Sequence, residues 1–333
     1  MSARIAVLGG GSWGTALAAH LGRLGHDVAL WARDGDLVAD IRARRVNRLY
    51  LPEVELPAVV RPTASLPDAL AGSRYVVVAV PSHGLRDVVR AAVPHVPAEA
   101  VIVSGAKGLE LDTLRRMSEV IVEEAGSSRP VVVLSGPSFA IEVARGLPTA
   151  VVAASTDRRA IAAVQRDFRG RAFRIYGSED VVGVEIGGAA KNVIAIAAGV
   201  VQGLELGHNA LAALVTRGLV EISRLACALG ARRETLAGLS GLGDLVLTCT
   251  GELSRNRRVG LELARGRPLD AVLAGLRMVA EGVRTARAAL ELGFRCGAEL
   301  PITAQVAELL AGRKTPGQAV DELMLRPQKL EQE

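Results

Sequence analysis

The chain has 333 residues, of which 50% are hydrophobic, 23% charged and only 3% aromatic. Such a length accommodates about two domains, and such an apolar content excludes a disordered chain. The formal net charge is +5, with Lys and Arg scattered and only Arg42, Arg44, Arg45 and Arg48 approaching a cluster. A duplex-DNA binder concentrates its excess in a stripe or tail, and few aromatics speak against base stacking, so nucleic acid is not an expected partner. A mild basic excess suits a protein that attracts phosphorylated anions.

Cys227, Cys249 and Cys296 lie far apart with no CxxC pair. This argues against a disulfide scaffold or a zinc site and fits a reducing cytosol. The apolar run after Arg4 is too short for a signal sequence. The longest apolar stretch, Val193 to Val201, falls short of the roughly 20 residues a membrane span needs. The expectation is a cytoplasmic protein with no membrane span and no metal.

In chain order, Ile5 to Leu8 is a short apolar run ending in glycines, followed by helical spacing from Ser12 to Leu24. Further short runs are Val28 to Trp31, Tyr75 to Val80, Val101 to Val103, Val131 to Leu134 and Ala150 to Ala154. Such runs separated by helical stretches read as buried parallel strands with crossover helices. Beyond about residue 180 the pattern changes to long helical stretches, Val184 to Leu204, Leu211 to Leu229 and Leu300 to Ala311. The expected fold is an α/β Rossmann-type dinucleotide-binding domain, residues 1–180, followed by an all-α helical domain, residues 181–333.

Gly9, Gly11 and Gly14 form G-x-G-x-x-G directly after the first strand and open the first helix. In that context Gly9 allows a tight turn, Gly11 lets the backbone approach a pyrophosphate, and Gly14 lets helix pack on strand. The helix N-terminus offers free N–H groups to the anion. After the second strand the chain reads Trp31-Ala32-Arg33-Asp34. Arg33 there favours a 2′-phosphate and hence NADP. In the other reading Asp34 takes the ribose of NAD and Arg33 is a solvated loop residue.

In the second half, Gly187-Gly188-Ala189-Ala190 leads into Lys191 and Asn192, at the start of an apolar helical stretch. A lysine held there can have its pKa lowered toward neutrality and serve as proton donor and acceptor; otherwise it snorkels to solvent. Ser104 to Gly108 and Ser135 to Phe139 follow strands, at the carboxyl ends where open α/β sheets gather ligands. Gly238 to Asp244 is a Gly-rich loop ending in a carboxylate, and Ser254-Arg255-Asn256 is a compact set of anion donors. Each of these also has a plain reading as a turn or a solvated helix start.

Together these blocks resemble the NAD(P)-dependent glycerol-3-phosphate dehydrogenase family of the bacterial type. The resemblance runs over nearly the whole chain. It includes Gly9 to Ala18, Asn47 with Tyr50-Leu51-Pro52, Val80-Pro81-Ser82, Ala106 to Glu110, Leu134 to Ala140, Gly187 to Asn192, Gly241 to Asp244, Ser254 to Asn256 and Glu281-Gly282. It implies Lys191 as the general acid or base. Lys107, Gly136, Ser138, Asp244, Ser254, Arg255 and Asn256 would hold glycerone phosphate or glycerol 3-phosphate. Ser12, Trp13, Arg33, Tyr50 and Lys107 would bind the cofactor, with Ala140, Arg255, Val279 and Glu281 closing around it. It further implies a role in phospholipid biosynthesis. The long apolar helices leave a homodimer possible. Some relatives carry two basic residues after strand two where this chain has Ala32-Arg33-Asp34, which leaves NADP and NAD both open. The rival readings are a β-hydroxyacid or sugar-acid dehydrogenase of the same two-domain type, and a non-catalytic NAD(P) sensor.

Overall fold

A computed structural model describes residues 2–331 apart from 277 and 329. Its strands are β1 (Arg4–Leu8), β2 (Asp27–Trp31), β3 (Val46–Asn47), β4 (Leu51–Glu55), β5 (Val60–Thr63), β6 (Tyr75–Val78), β7 (Val101–Ser104), β8 (Val131–Ser135), β9 (Thr149–Ala154) and β10 (Phe173–Ser178). Eight of them form one sheet in the order β10-β9-β8-β7-β6-β1-β2-β5, while β3 and β4 pair separately. The order reverses around β1, so the carboxyl ends of β1 and β6 flank the crevice in which such sheets bind ligands.

Every apolar run read from the sequence is a strand of this sheet. The expectation that all are parallel needs one correction: β9 runs antiparallel to β8, and β10 parallel to β9. The sheet also gains two edge strands that the runs do not announce. β5 carries Pro62, which an edge tolerates because one side of the strand needs no ladder donor. β10 buries only alternate residues at its start, so it lacks a continuous apolar run.

The sheet ends at Ser178, and the helix Val181–Gly203 begins immediately. It is the one helix among the described residues long and apolar enough to cross a membrane, which the Val193–Val201 stretch alone did not indicate. Yet 89% of its apolar window is buried inside the protein. Helices Gly207–Ala228, Asp244–Thr250, Arg255–Ala264 and Glu281–Cys296 pack around it, so it is the axis of a second core.

The closest crossing is with Arg255–Ala264. A Cβ on Gly260 would stand 1.8 Å from the Ile196 carbonyl oxygen, and one on Gly199 would stand 1.9 Å from that of Arg257. Two glycines thus let two backbones touch, and that contact sets residues 254–256 beside Asn192. Gly260→Val should lower stability by about 3 kcal/mol or more through overpacking, read as a lower urea midpoint; an unchanged midpoint would refute this account of the crossing.

Candidate active site

The glycine-rich turn has three separate reasons for its glycines. Gly9 has φ +127°, and a Cβ there would stand 2.5 Å from the Ala79 carbonyl oxygen. A Cβ on Gly14 would stand 1.9 Å from the Gly9 carbonyl oxygen, so helix Ser12–Arg23 could not seat against β1. Gly11 faces open space, and as N-cap it offers no side chain to the first N–H groups of that helix. The donors and the space match a pyrophosphate. The Trp13 indole N–H is buried without an acceptor, beside Gly105. A buried orphan donor is costly, and a bound ligand would relieve it. The residues present therefore fit a dinucleotide.

Asn47, fully buried, holds this turn from behind. Its amide donates to the Gly10 carbonyl and the Thr15 hydroxyl, both at 2.8 Å, and accepts from the Tyr50 N–H. Ser12 donates to the Tyr50 carbonyl at 2.8 Å and lies 2.7 Å from the Met278 sulfur. Val279 follows Met278, and the Glu281 carboxylate accepts from the Ser82 N–H at 2.9 Å and the Ser82 hydroxyl at 2.6 Å. The segment around Val279 thus spans from the glycine turn to the start of helix Ser82–Ala92. Ala140 starts helix Ala140–Arg145, which packs on helix Ser12–Arg23. Arg33 is exposed and makes no hydrogen bond or ion pair among the described residues, whereas Asp34 caps helix Gly35–Arg44 by accepting from the Asp36 and Leu37 N–H groups.

The chemistry centres on Asp244, which is 1% exposed. Asp244 follows a π-helical turn, Leu239–Gly243, and opens helix Asp244–Thr250. Its two oxygens accept from different lysines: Lys191 Nζ at 2.5 Å and Lys107 Nζ at 2.8 Å. Lys191 also donates to the Thr248 hydroxyl at 2.7 Å, which donates in turn to the Asp244 carbonyl. Lys107 reaches the Gly136 carbonyl at 2.8 Å and the Ser138 hydroxyl at 3.5 Å. Burial pushes the Lys191 ammonium down to about 8; Asp244 opposes the shift and the second ammonium of Lys107 adds to it. Lys191 therefore does not snorkel. It is a buried lysine that can exchange a proton near neutral pH.

At the far end, Arg255 is exposed and makes no hydrogen bond or ion pair among the described residues. Ser254 caps helix Arg255–Ala264 through the Arg257 N–H. Asn256 is buried rather than facing water. Its amide donates to the Asn192 carbonyl oxygen at 2.9 Å and accepts from the Gly282 N–H at 2.9 Å. Among the described residues, the Asn256 amide nitrogen donates to Asn192 alone, which leaves one of its N–H groups for a ligand.

Thr248, Met278, Ser82 and Asn47 complete the site and were not named as site residues from the sequence. One compositional signal was present for the lysines: only Lys107, Lys191, Lys314 and Lys329 occur among 40 basic residues. Arg substitutes for Lys wherever a positive charge suffices, but a guanidinium cannot release a proton. Two of the four lysines meet at one carboxylate.

Two family models cover most of the chain. The N-terminal model of NAD-dependent glycerol-3-phosphate dehydrogenase matches residues 4–161 and the C-terminal model residues 180–321. A glycerol-3-phosphate dehydrogenase [NAD(P)+] of Koribacter versatilis is 55% identical, with 98% of each chain covered. The chain belongs to this family. A second glycerol-3-phosphate dehydrogenase, from Geobacter sulfurreducens, is 53% identical over 99% of each chain. The crystal structure of the Coxiella burnetii glycerol-3-phosphate dehydrogenase superposes with a TM-score of 0.94 at 42% identity, covering 98% of this chain and 99% of that one. The chain is thus an NAD(P)-dependent oxidoreductase of this family, with a Rossmann-like sheet and a helical second half.

Proposed function

We propose that Lys191 carries the proton in a reversible reduction of glycerone phosphate to sn-glycerol 3-phosphate. The observation that carries this reading is the buried Lys191–Asp244–Lys107 cluster. The nicotinamide supplies the hydride chemistry at C2 of the substrate. Lys191 as ammonium gives a proton to the oxygen on C2 as negative charge develops there; as amine it takes that proton in the oxidative direction. Asp244 and Thr248 hold its nitrogen in place, and Lys107, with Gly136 and Ser138, orients the same end of the substrate. Arg255, Asn256 and Ser254 take the phosphate, whose binding energy aligns the carbonyl carbon. Residues 1–180 carry the cofactor and residues 181–333 the proton carrier and phosphate grip, with Lys107, Gly136 and Ser138 crossing that division.

Gly9, Gly11, Gly14, Ser12, Trp13, Tyr50 and Ala140 form the cofactor wall, closed by Val279, Glu281 and Arg255. NADP is the preferred cofactor in this reading, because Asp34 is engaged as a helix cap while Arg33 is exposed and has no hydrogen-bond or ion-pair partner among the described residues. Arg33→Ala should weaken NADPH about tenfold or more, the value of one charge-assisted contact, and leave NADH unchanged. Titration followed by cofactor fluorescence checks this; an equal loss for both cofactors would contradict it. The enzyme works in the cytoplasm and supplies glycerol 3-phosphate for phospholipid synthesis. It acts on a small molecule without nucleic acid or a membrane span, and a homodimer remains compatible with it. A panel of glycerone phosphate, 2-ketoacids and sugar acids, followed by NADPH and NADH oxidation, tests the substrate. Turnover restricted to glycerone phosphate supports the proposal, and turnover restricted to a carboxylate substrate overturns it.

A further inference from the structure

We propose that Arg86 is a positioning residue for the reaction: its grip on Glu110 holds the Lys107 loop so that Lys107 and Lys191 share Asp244. The inference rests on the reading of Lys191 as proton carrier and extends it to a residue outside the cleft.

Lys107 lies on the loop that leaves β7, three residues before Glu110. Both oxygens of Glu110 are taken by Arg86, with Nε and Nη2 donating at 2.7 Å each. A bidentate guanidinium–carboxylate pair fixes direction as well as distance. Arg86 sits in helix Ser82–Ala92, and the loop meets the start of that helix a second time. A Cβ on Gly108 would stand 2.7 Å from the Ser82 Cβ. Ser82 is itself held by Glu281 from the second half of the chain. Three successive contacts, Glu281 to Ser82, Ser82 to Gly108 and Arg86 to Glu110, thus clamp the loop immediately after Lys107.

The remaining charges around the clamp are accounted for. Arg86 also donates to Glu124 and Glu123 from helix Met117–Ala125. Arg90, one turn further on, donates to Glu124 and also faces Asp87 of its own helix. Thr113 and Arg115 face Glu110 from within the same loop. The far end of the loop is tied separately, by Arg116 to Glu185. Around Lys191 the charged or titratable groups are Asp244, Lys107 and Cys249. Of these, only Lys107 comes from the clamped loop.

The consequence has a defined sign. If the loop loosens, Lys107 recedes from Asp244, one ammonium leaves the neighbourhood of Lys191, and Asp244 attends to Lys191 alone. Lys191 then keeps its proton to higher pH. A merely structural role for Arg86 lowers stability without moving that proton.

The experiment uses the full chain with ¹³C-labelled lysine, whose four ε-carbon resonances are assigned with Lys191→Ala and Lys107→Ala. Arg86→Met, Glu110→Gln and the control Arg90→Met are titrated from pH 6 to pH 11, alongside the pH dependence of reduction. The expected result is a rise of about 0.5–1 unit in the Lys191 midpoint for Arg86→Met and Glu110→Gln, with kcat reduced about tenfold and no shift for Arg90→Met. Arg86→Lys should recover only part of the effect, because an ammonium cannot supply the fork. A Lys191 midpoint equal to wild type in Arg86→Met and Glu110→Gln would overturn the proposal, as would the same shift in Arg90→Met. Failure of the underlying reading looks different: the Lys191 resonance would move while the rate profile did not follow it.

Discussion

Replacing Lys191 by alanine should cut turnover about 10³-fold, within the range of a lost general acid, while NADPH affinity stays within about twofold. The split follows from position. Lys191 is buried on the central helix and bonded to Asp244 and Thr248, on a different element from the glycine turn proposed for the dinucleotide. Its loss leaves Asp244 paired with Lys107, so the carboxylate is not stranded as an unpaired buried charge. Rates of NADPH oxidation and fluorescence titration of NADPH measure the two quantities. Turnover that survives the substitution would remove Lys191 from the chemistry.

Arg255→Ala should raise KM for glycerone phosphate steeply. A hydrogen bond to a charged group is worth about 1.5–3 kcal/mol, and each 1.4 kcal/mol is about tenfold, so roughly a 10- to 100-fold rise is expected. Arg255 has no hydrogen bond or ion pair among the described residues and stands at the start of its helix; its removal gives up an electrostatic attraction to Glu281 but no paired partner, and the fold should persist. Inorganic phosphate as competitor should weaken in parallel. An unchanged KM would dismiss Arg255 as the phosphate grip. Asn256→Ala would be harder to interpret, because its amide also joins Asn192 to Gly282.

The sequence made the site legible where chemistry and local pattern coincide. Glycines at fixed offsets after a strand carry their reason in the chain itself, and the contacts of Gly9 and Gly14 bear that reason out. Lys191 was visible as a lysine in apolar company. The edge strands β5 and β10 were not legible, because an edge needs neither a continuous apolar run nor freedom from proline. Thr248 and Ser82 were hidden for another reason. Each is an ordinary hydroxyl residue whose role depends on a partner far away in sequence, Lys191 for Thr248 and Glu281 for Ser82. Asp34 differs: the alternative reading gave it the ribose, and the structure engages it locally as the cap of the helix that follows, through the Asp36 and Leu37 N–H groups.

The most direct test of Lys191 as proton carrier is the pH dependence of kcat/KM in both directions, which reports the ionisations of the free enzyme. Burial holds the Lys191 ammonium down at about 8. Reduction needs the ammonium, so its kcat/KM should be level below that pH and fall as pH rises through it. Oxidation needs the amine, so its kcat/KM should rise through the same pH and then level off. The second ionisation of a phosphate monoester, near pH 6, lies well below this window. Mirror-image limbs meeting near pH 8, both absent in Lys191→Ala, are the predicted result; a reductive rate that stays level to pH 10, or limbs that persist without Lys191, would contradict it.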